Sequence, residues 1–312
     1  MRHSHDPAGR GVAKGIVPTT LFCMTAALPD PISLMAMVGD PVAENPIDQL
    51  FNAVFTQHEV PMYFAKVLLT DPGKLPQVLA GASAMGFAGL GITVPYKEVV
   101  IAHLDRIDPD ASRIGAVNYV TFEDGESVGH QNDASAVVAA IEERQPVAGA
   151  SVLLLGAGGA ARGVGAGLAA AGVRRLVVAA RRPEQGEPVA RMLADAGEVP
   201  MEYLHWQGDL ACPDGVDIVI NATSAGAAPQ LVALALDWDT FSAGMLALDM
   251  VTGPRNTPFI EAAADRGLAT IDGVDVLNYI GYYVCKDRGL DVPVSDIARI
   301  SDGIAGVPRR DR

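Results

Sequence analysis

Basic side chains are scarce in this chain. Its 23 lysines and arginines stand against 37 aspartates and glutamates, a formal net charge of −14 over 312 residues. A polyanion would be repelled by that field, which argues against a nucleic-acid partner. Cysteine is nearly absent: Cys23, Cys212 and Cys285 are odd in number and widely scattered. They offer neither a disulfide framework nor a metal-ligand cluster, and a reducing, cytoplasmic compartment fits. No apolar run is long enough to read as a membrane span. What remains is a chain 49% apolar and long enough for two domains with real cores, with a small molecule as the expected partner. Composition leaves monomer and homodimer both open.

At the N-terminus, Arg10 and Lys14 precede a short apolar patch, Ile16 to Ala27, that loosely imitates a secretion signal. Pro18 and two threonines break it. Residues 1–30 are read as a poorly ordered extension, or as sequence upstream of a start at Met24.

The stretch from Ser151 to Glu184 carries the most information. It reads as an apolar strand, a glycine-rich turn, an alanine-rich helix and a second strand ending in two arginines. Gly156 and Gly158 fall where a strand turns into a helix with a pyrophosphate against the backbone, and free N–H groups at the helix start bind that anion. Ala157, Gly159 and Ala160 complete the turn, and Ala161 fills the third small position of a GxGxxA pattern. At the end of the second strand an NAD site usually carries an acid. Here Ala180 is followed by Arg181 and Arg182, with no carboxylate until Glu184. Two guanidiniums suit a 2′-phosphate, so NADP is the expected cofactor; a solvated arginine pair is the plain alternative.

Ahead of this unit lies another alternation of strands and helices. Strands are expected at Leu34–Val38, Met62–Leu68 and Gly89–Val94, and helices over 46–57, at Leu75–Met85 and from Tyr96 to Leu104. Beyond it, strands at Val216–Asn221 and Met245–Asp249 and helices at Ile260–Arg266, Val274–Arg288 and Ser295–Ser301 follow. This pattern predicts an α/β protein with mostly parallel open sheets, its last helices returning to the first domain. Small and polar residues concentrate in the segments 91–97, 115–118, 129–133 and 221–226, each expected at or after a strand's C-terminal end, where open α/β sheets bind ligands. Pro95 is expected to end a strand and start a helix, aiming Thr93 and Lys97 into one crevice. Capping is the plain alternative for Thr93, and a surface ion pair for Lys97 with Asp133.

The motifs GITVPYKE (Gly91 to Glu98), GAVN, GHQND, LLLGAGGAARG, NATSAG, LALDMVTGPRNTP and GVDVLNYIG occur in this order. In order and spacing the chain resembles the shikimate/quinate dehydrogenase family from about Leu34 to Leu290. The resemblance implies a two-domain enzyme. Residues 31–133, completed by 274–312, would form the substrate domain, and 134–273 an NADP-binding Rossmann domain. It implies a catalytic pair, Lys97 and Asp133, with Thr93 and Asn118 on substrate hydroxyls. Asn221, Thr223 and Ser224 would lie beside the nicotinamide ribose, with Met250, Val251 and Gly273 near the nicotinamide. Asp249 reads as either a cleft or a turn residue.

The substrate end departs from the family pattern. An ungapped comparison places Asn45 and Ile47, with Glu44 beside them, where the family has two serines that hold the shikimate carboxylate. Gly91 stands for an asparagine, Ile280 for a glutamine and Thr252 for a tyrosine. Because a carboxylate left unpaired binds orders of magnitude more weakly, the expected substrate is a cyclic polyhydroxy compound other than shikimate, with Asn45 and Ile280 at its pocket. A true shikimate or quinate dehydrogenase and a non-catalytic, NADP-responsive binding protein are the competing readings.

Overall fold

The computed structural model describes residues 32–43, 45–196 and 199–304; the N-terminal extension and Glu44 lie outside them. The first part of the chain runs β1 (Ser33–Gly39), α1 (Ile47–Gln57), β2 (Met62–Leu68), α2 (Leu75–Ala84), β3 (Gly89–Ile92) and β4 (Arg106–Ile107), then α3 (Pro109–Ile114), β5 (Tyr119–Glu123), β6 (Glu126–His130) and α4 (Asp133–Glu142). Its six-stranded sheet has the order β2-β1-β3-β5-β6-β4. The β1–β2, β1–β3 and β4–β6 pairs are parallel, whereas β5 runs antiparallel to both β3 and β6. The β5–β6 hairpin turns at Asp124-Gly125, both at positive φ, the geometry a two-residue Asp-Gly loop favours.

The second part continues with β7 (Ser151–Leu155), α5 (Gly159–Ala170), β8 (Arg175–Ala180), α6 (Pro183–Ala196), β9 (Met201–His205), β10 (Leu210–Ala211), β11 (Ile218–Asn221), β12 (Leu236–Asp237), β13 (Leu246–Asp249), α7 (Pro258–Asp265) and β14 (Ala269–Ile271). Its six-stranded sheet, order β14-β13-β11-β7-β8-β9, is parallel throughout; β10 and β12 form a separate small pair. Every residue of β7 is buried, as a central parallel strand covered on both faces requires.

Two helices close the described chain, α8 (Gly273–Asp287) and α9 (Val294–Ile304). An Asp272–Asp275 capping box starts α8. Leu277, Val284, Cys285 and Ile297 from these helices share one apolar cluster with Met35, Leu50, Phe51 and Phe64 of the first sheet and α1. The C-terminal helices thus cover one face of that sheet, as expected. The other face is covered by Leu75, Leu79, Tyr96 and Val100 over Ala36, Val38, Leu90 and Ile92.

One expected element is corrected. No α-helix runs from Tyr96 to Leu104; a turn leads into a short 3-10 helix, Val99–His103. The Lys97 carbonyl, which a helix would have used internally, instead accepts from the Val117 amide at 2.8 Å. Lys97 therefore sits in a turn tied to the segment before β5 rather than in a helix of its own.

Candidate active site

The site is assembled from strand ends that the antiparallel β5 brings together. Asn118 precedes β5 rather than following a strand, contrary to expectation. Because β5 runs opposite to β3, its beginning lies beside the end of β3. The Asn118 carbonyl accepts from Ile92 N at 2.8 Å, and its amide donates to the His130 carbonyl at 3.0 Å. Thr93 N, in turn, donates to the Val38 carbonyl at 3.0 Å, fixing the end of β3 against β1.

On this frame Lys97 Nζ donates to Asp133 Oδ2 at 2.5 Å. Asn118 Nδ2 donates to Asp133 Oδ1 at 2.8 Å and to Asn132 Oδ1 at 2.6 Å, while Asn118 Oδ1 accepts from Asn132 N at 2.9 Å. Asp133 is also held through its backbone, whose amide donates to Gln131 Oε1 at 2.8 Å. Its side chain is 3% exposed and that of Lys97 15%, far from the surface ion pair that is the plain alternative. Asn118, Asn132 and Gln131 fix the carboxylate, and the partly exposed ammonium faces what enters. Sequence reasoning missed Asn132 and Gln131, although both lie inside the GHQND segment.

The glycine-rich turn comes to the same place. Gly156 has φ +111°, and a Cβ there would stand 3.0 Å from Thr223 Cγ2 and 3.1 Å from the Ala222 carbonyl. Gly158 precedes α5 with no side-chain cap, and a Cβ there would meet nothing. The first N–H groups of α5 are thus left to an anion that can approach freely. A Cβ on Gly159 would lie 3.1 Å from Lys97 Cβ, one on Gly163 2.9 Å from Gln131 Nε2, and one on Gly167 2.6 Å from Ala134 Cβ. Spaced four residues apart, these glycines make the face of α5 that packs against α4 and the Lys97 turn. Ala157 and Ala160 are half-buried within the turn and first helical turn.

Ala180 is buried at the end of β8, and Arg181 and Arg182 are exposed without an ion-pair partner among the described residues. The Arg182 carbonyl accepts from Gln185 and Gly186 at the start of α6, and Tyr203 donates its hydroxyl to the Ala180 carbonyl at 3.2 Å. The loop is fixed and both guanidiniums are free, which fits a 2′-phosphate.

The expected nicotinamide-side residues divide in two. Asn221 is fully buried: its Nδ2 donates to Asp249 Oδ1 at 2.9 Å and to the Ala225 carbonyl at 3.2 Å, and its Oδ1 accepts from Thr223 N and Oγ1. Thr223 Oγ1 also accepts from Ala225 N. Both side chains shape the loop from inside. Asp249, too, points inward, accepting from Asn221, Val251 N and Thr257 Oγ1, and burial pushes its carboxyl up to about 7. Ser224, by contrast, is exposed and Met250 half-exposed. Gly273 lies so close to the Val251 carbonyl that no side chain fits there.

At the substrate end, Asn45 Oδ1 accepts from Ile47 N at 3.0 Å, an Asx turn just before α1. Ile47 is buried with Leu50 and Phe51, so it belongs to the core and not to a pocket. Ile280 is half-buried and packs against the cores of both sheets.

Two family models match the chain: a shikimate dehydrogenase substrate binding domain over residues 37–120 and a shikimate/quinate 5-dehydrogenase over 138–273. The chain belongs to the shikimate dehydrogenase family. It is 39% identical over 255 residues to the NADP(+) shikimate dehydrogenase of Moorella thermoacetica, covering 80% of this chain and 85% of that one. Among solved structures it resembles the ligand-free 5-ketofructose reductase of a Gluconobacter strain, with a TM-score of 0.79 and 29% identity over 87% of this chain and 98% of that one. It equally resembles a shikimate dehydrogenase in complex with NADP+, with a TM-score of 0.79 and 30% identity over 87% and 96% of the two chains. The protein is thus an NADP-dependent oxidoreductase of this family, acting on CH–OH groups. Among the described residues no helix is long and apolar enough to cross a membrane, and no group of potential ligands suits a metal ion.

Proposed function

We propose that this enzyme interconverts an alcohol and a ketone on an uncharged cyclic polyhydroxy substrate rather than on shikimate. The observation that carries the reading is the charge balance of the site. Lys97 is matched by Asp133, and Lys66, which reaches the Asn45 loop, is matched by Asp48 at 3.0 Å. The Asn45 side chain is taken up by the amide of Ile47, and Ile47 lies in the core. A substrate carboxylate would meet no uncommitted cation in this set, whereas hydroxyls need only the donors and acceptors present. The likeness to a 5-ketofructose reductase supports the same view, since that ketose carries no carboxylate.

In this reading residues 31–133 with 274–312 hold the substrate and 134–273 hold NADP. Gly156, Ala157, Gly158, Gly159 and Ala160 cradle the pyrophosphate. Ala180, Arg181 and Arg182 receive the 2′-phosphate. Ser224, Met250, Val251 and Gly273 face the nicotinamide half, with Asn221 and Thr223 bracing that loop. NADP supplies hydride transfer at its nicotinamide. As the neutral amine, Lys97 Nζ takes the hydroxyl proton in oxidation and becomes the ammonium; as the ammonium it gives that proton back in reduction. Asp133 holds Nζ and the substrate hydroxyl in line, and Asn118 holds Asp133. Thr93 and Asn118 bind further hydroxyls, and Ile280 contributes an apolar wall.

The likeness to the Moorella enzyme favours a second reading, a shikimate or quinate dehydrogenase with relocated carboxylate contacts. Steady-state kinetics on shikimate, quinate and uncharged substrates such as 5-ketofructose, each with NADP and NAD coenzymes, separates the two. Higher kcat/KM for an uncharged substrate is expected; a preference for shikimate would overturn the proposal.

A further inference from the structure

Lys66 of β2 pairs in register with Met37 of β1, and Met37 with Gly91 of β3. In-register parallel neighbours project from the same face of the sheet. Here that face packs against α1 and α8, since Met37 shares a cluster with Leu50, Phe51 and Leu277, and Ile280 borders the same cluster. Gly91 carries no side chain and is half-exposed although its strand is central, so the row opens toward the site two residues before Thr93.

The Lys66 ammonium, near the C-terminal end of β2, reaches the loop between β1 and α1. Its Nζ lies 2.8 Å from the Ala43 carbonyl, 3.0 Å from the Asn45 carbonyl and 3.0 Å from Asp48 Oδ1. An ammonium has three donors, and three acceptors surround this one. Asp48 Oδ1 is buried and makes no hydrogen bond, its contact with Lys66 being that of an ion pair. Together with the two carbonyl contacts the pair ties α1 and the loop before it to β2.

We infer that Asp48 is a specificity-determining positioning residue: by neutralising Lys66 it makes this end of the site reject carboxylate-bearing substrates in favour of uncharged polyols. The inference rests on the substrate reading above. With the carboxylate gone, Lys66 would present an uncompensated cation at the Asn45 loop, able to form a charge-assisted hydrogen bond to an anionic substrate group.

The test compares Asp48→Asn, Lys66→Met and the double variant, each checked for folding by Tm and NADP affinity, using kcat/KM for shikimate, quinate and 5-ketofructose. Asp48→Asn should raise the carboxylate-to-ketose ratio of kcat/KM by about tenfold or more, mainly through KM for the carboxylates, and the double variant should lose that gain. A merely structural role would move all substrates together. A folded Asp48→Asn enzyme with an unchanged ratio overturns the inference, as does a gain that survives in the double variant. Should Asp48→Asn not fold, Lys66→Met alone decides. A loss confined to carboxylate substrates would show Lys66 holding the carboxylate in the native enzyme and overturn the inference; a ratio that does not fall supports it. A wild-type preference for shikimate overturns the substrate reading as well. A wild-type preference for ketose with an unresponsive Asp48→Asn overturns this inference alone.

Discussion

Gly159, the first helical residue after the nucleotide turn, lies against Lys97 so closely that a Cβ would stand 3.1 Å from the lysine's own Cβ. One contact joins the glycine-rich turn to the Lys97 turn. Two further glycines continue it along α5. Gly167→Ala would place its Cβ 2.6 Å from Ala134 Cβ and 3.1 Å from backbone, neither of which can swing away. A destabilisation of about 1–3 kcal/mol is expected in denaturant unfolding. Gly163→Ala meets only the amide of Gln131 and should cost less. Equal costs at both positions would contradict this packing.

Removing the proton-transfer group should slow chemistry and spare coenzyme binding. Lys97→Ala is expected to lower kcat by about 10²–10⁴-fold, with NADP affinity nearly unchanged by fluorescence titration. Asp133→Asn is isosteric but loses the charge facing Nζ and sets its NH2 against one of two donors, Lys97 Nζ or Asn118 Nδ2, and should also fall strongly in kcat. A kcat within threefold of wild type for Lys97→Ala would remove it from the mechanism.

Arg181 and Arg182 have no ion-pair partner among the described residues, so replacing them should cost the fold little. Each hydrogen bond to a charged phosphate contributes about 1.5–3 kcal/mol. Arg181→Ser with Arg182→Ser should therefore raise KM for NADP by about tenfold or more and leave KM for NAD near its starting value. Equal effects on both coenzymes would assign the arginines a structural role.

Asp249 carries a pH signature. Its carboxyl is pushed from 3.8 up to about 7, first by burial, against the hydrogen bonds from Thr257, Val251 and Asn221. In that interval the folded state binds more protons than the unfolded state. Stability contributed at this position is thus full below about 4 and falls as pH rises toward 7. Asp249→Asn, which keeps the shape, should flatten the fall of unfolding free energy between pH 4 and 7. An unaltered slope would show that Asp249 is not the group responsible.

Arg255 was not singled out in the sequence, yet it ties three elements together. Its guanidinium is 4% exposed and lies 2.8 Å from Asp302, 3.4 Å from Asp272 and 3.5 Å from Asp275, joining the loop after β13 to both ends of the C-terminal helix pair. Nothing in the local sequence RNTP signals this, because its partners are supplied from elsewhere in the chain. The same holds for Lys66 with Asp48, and for the fully buried Asn221 and Asp249, whose side chains are polar enough to suggest a ligand but close a loop instead. The Asp124-Gly125 pair is a local hairpin signal, but that β5 also runs antiparallel to β3, which sets Asn118 at the start of β5 beside the end of β3, is decided by the sheet.

Local chemistry in the sequence determined the strand-turn-helix nucleotide unit, the helical and strand periodicities, the scarcity of cations and the residue types of the Lys97–Asp133 pair. Glycine-rich turns, alternating apolar runs and charge composition act over a few residues, and are readable without the fold. Only the tertiary structure decided which polar groups face the cleft and which satisfy one another. Those pairings join positions tens of residues apart: Lys66 with Asp48, Asn221 with Asp249, Arg255 with Asp302. A buried polar atom takes whichever partner packing delivers, and packing is a property of the whole chain.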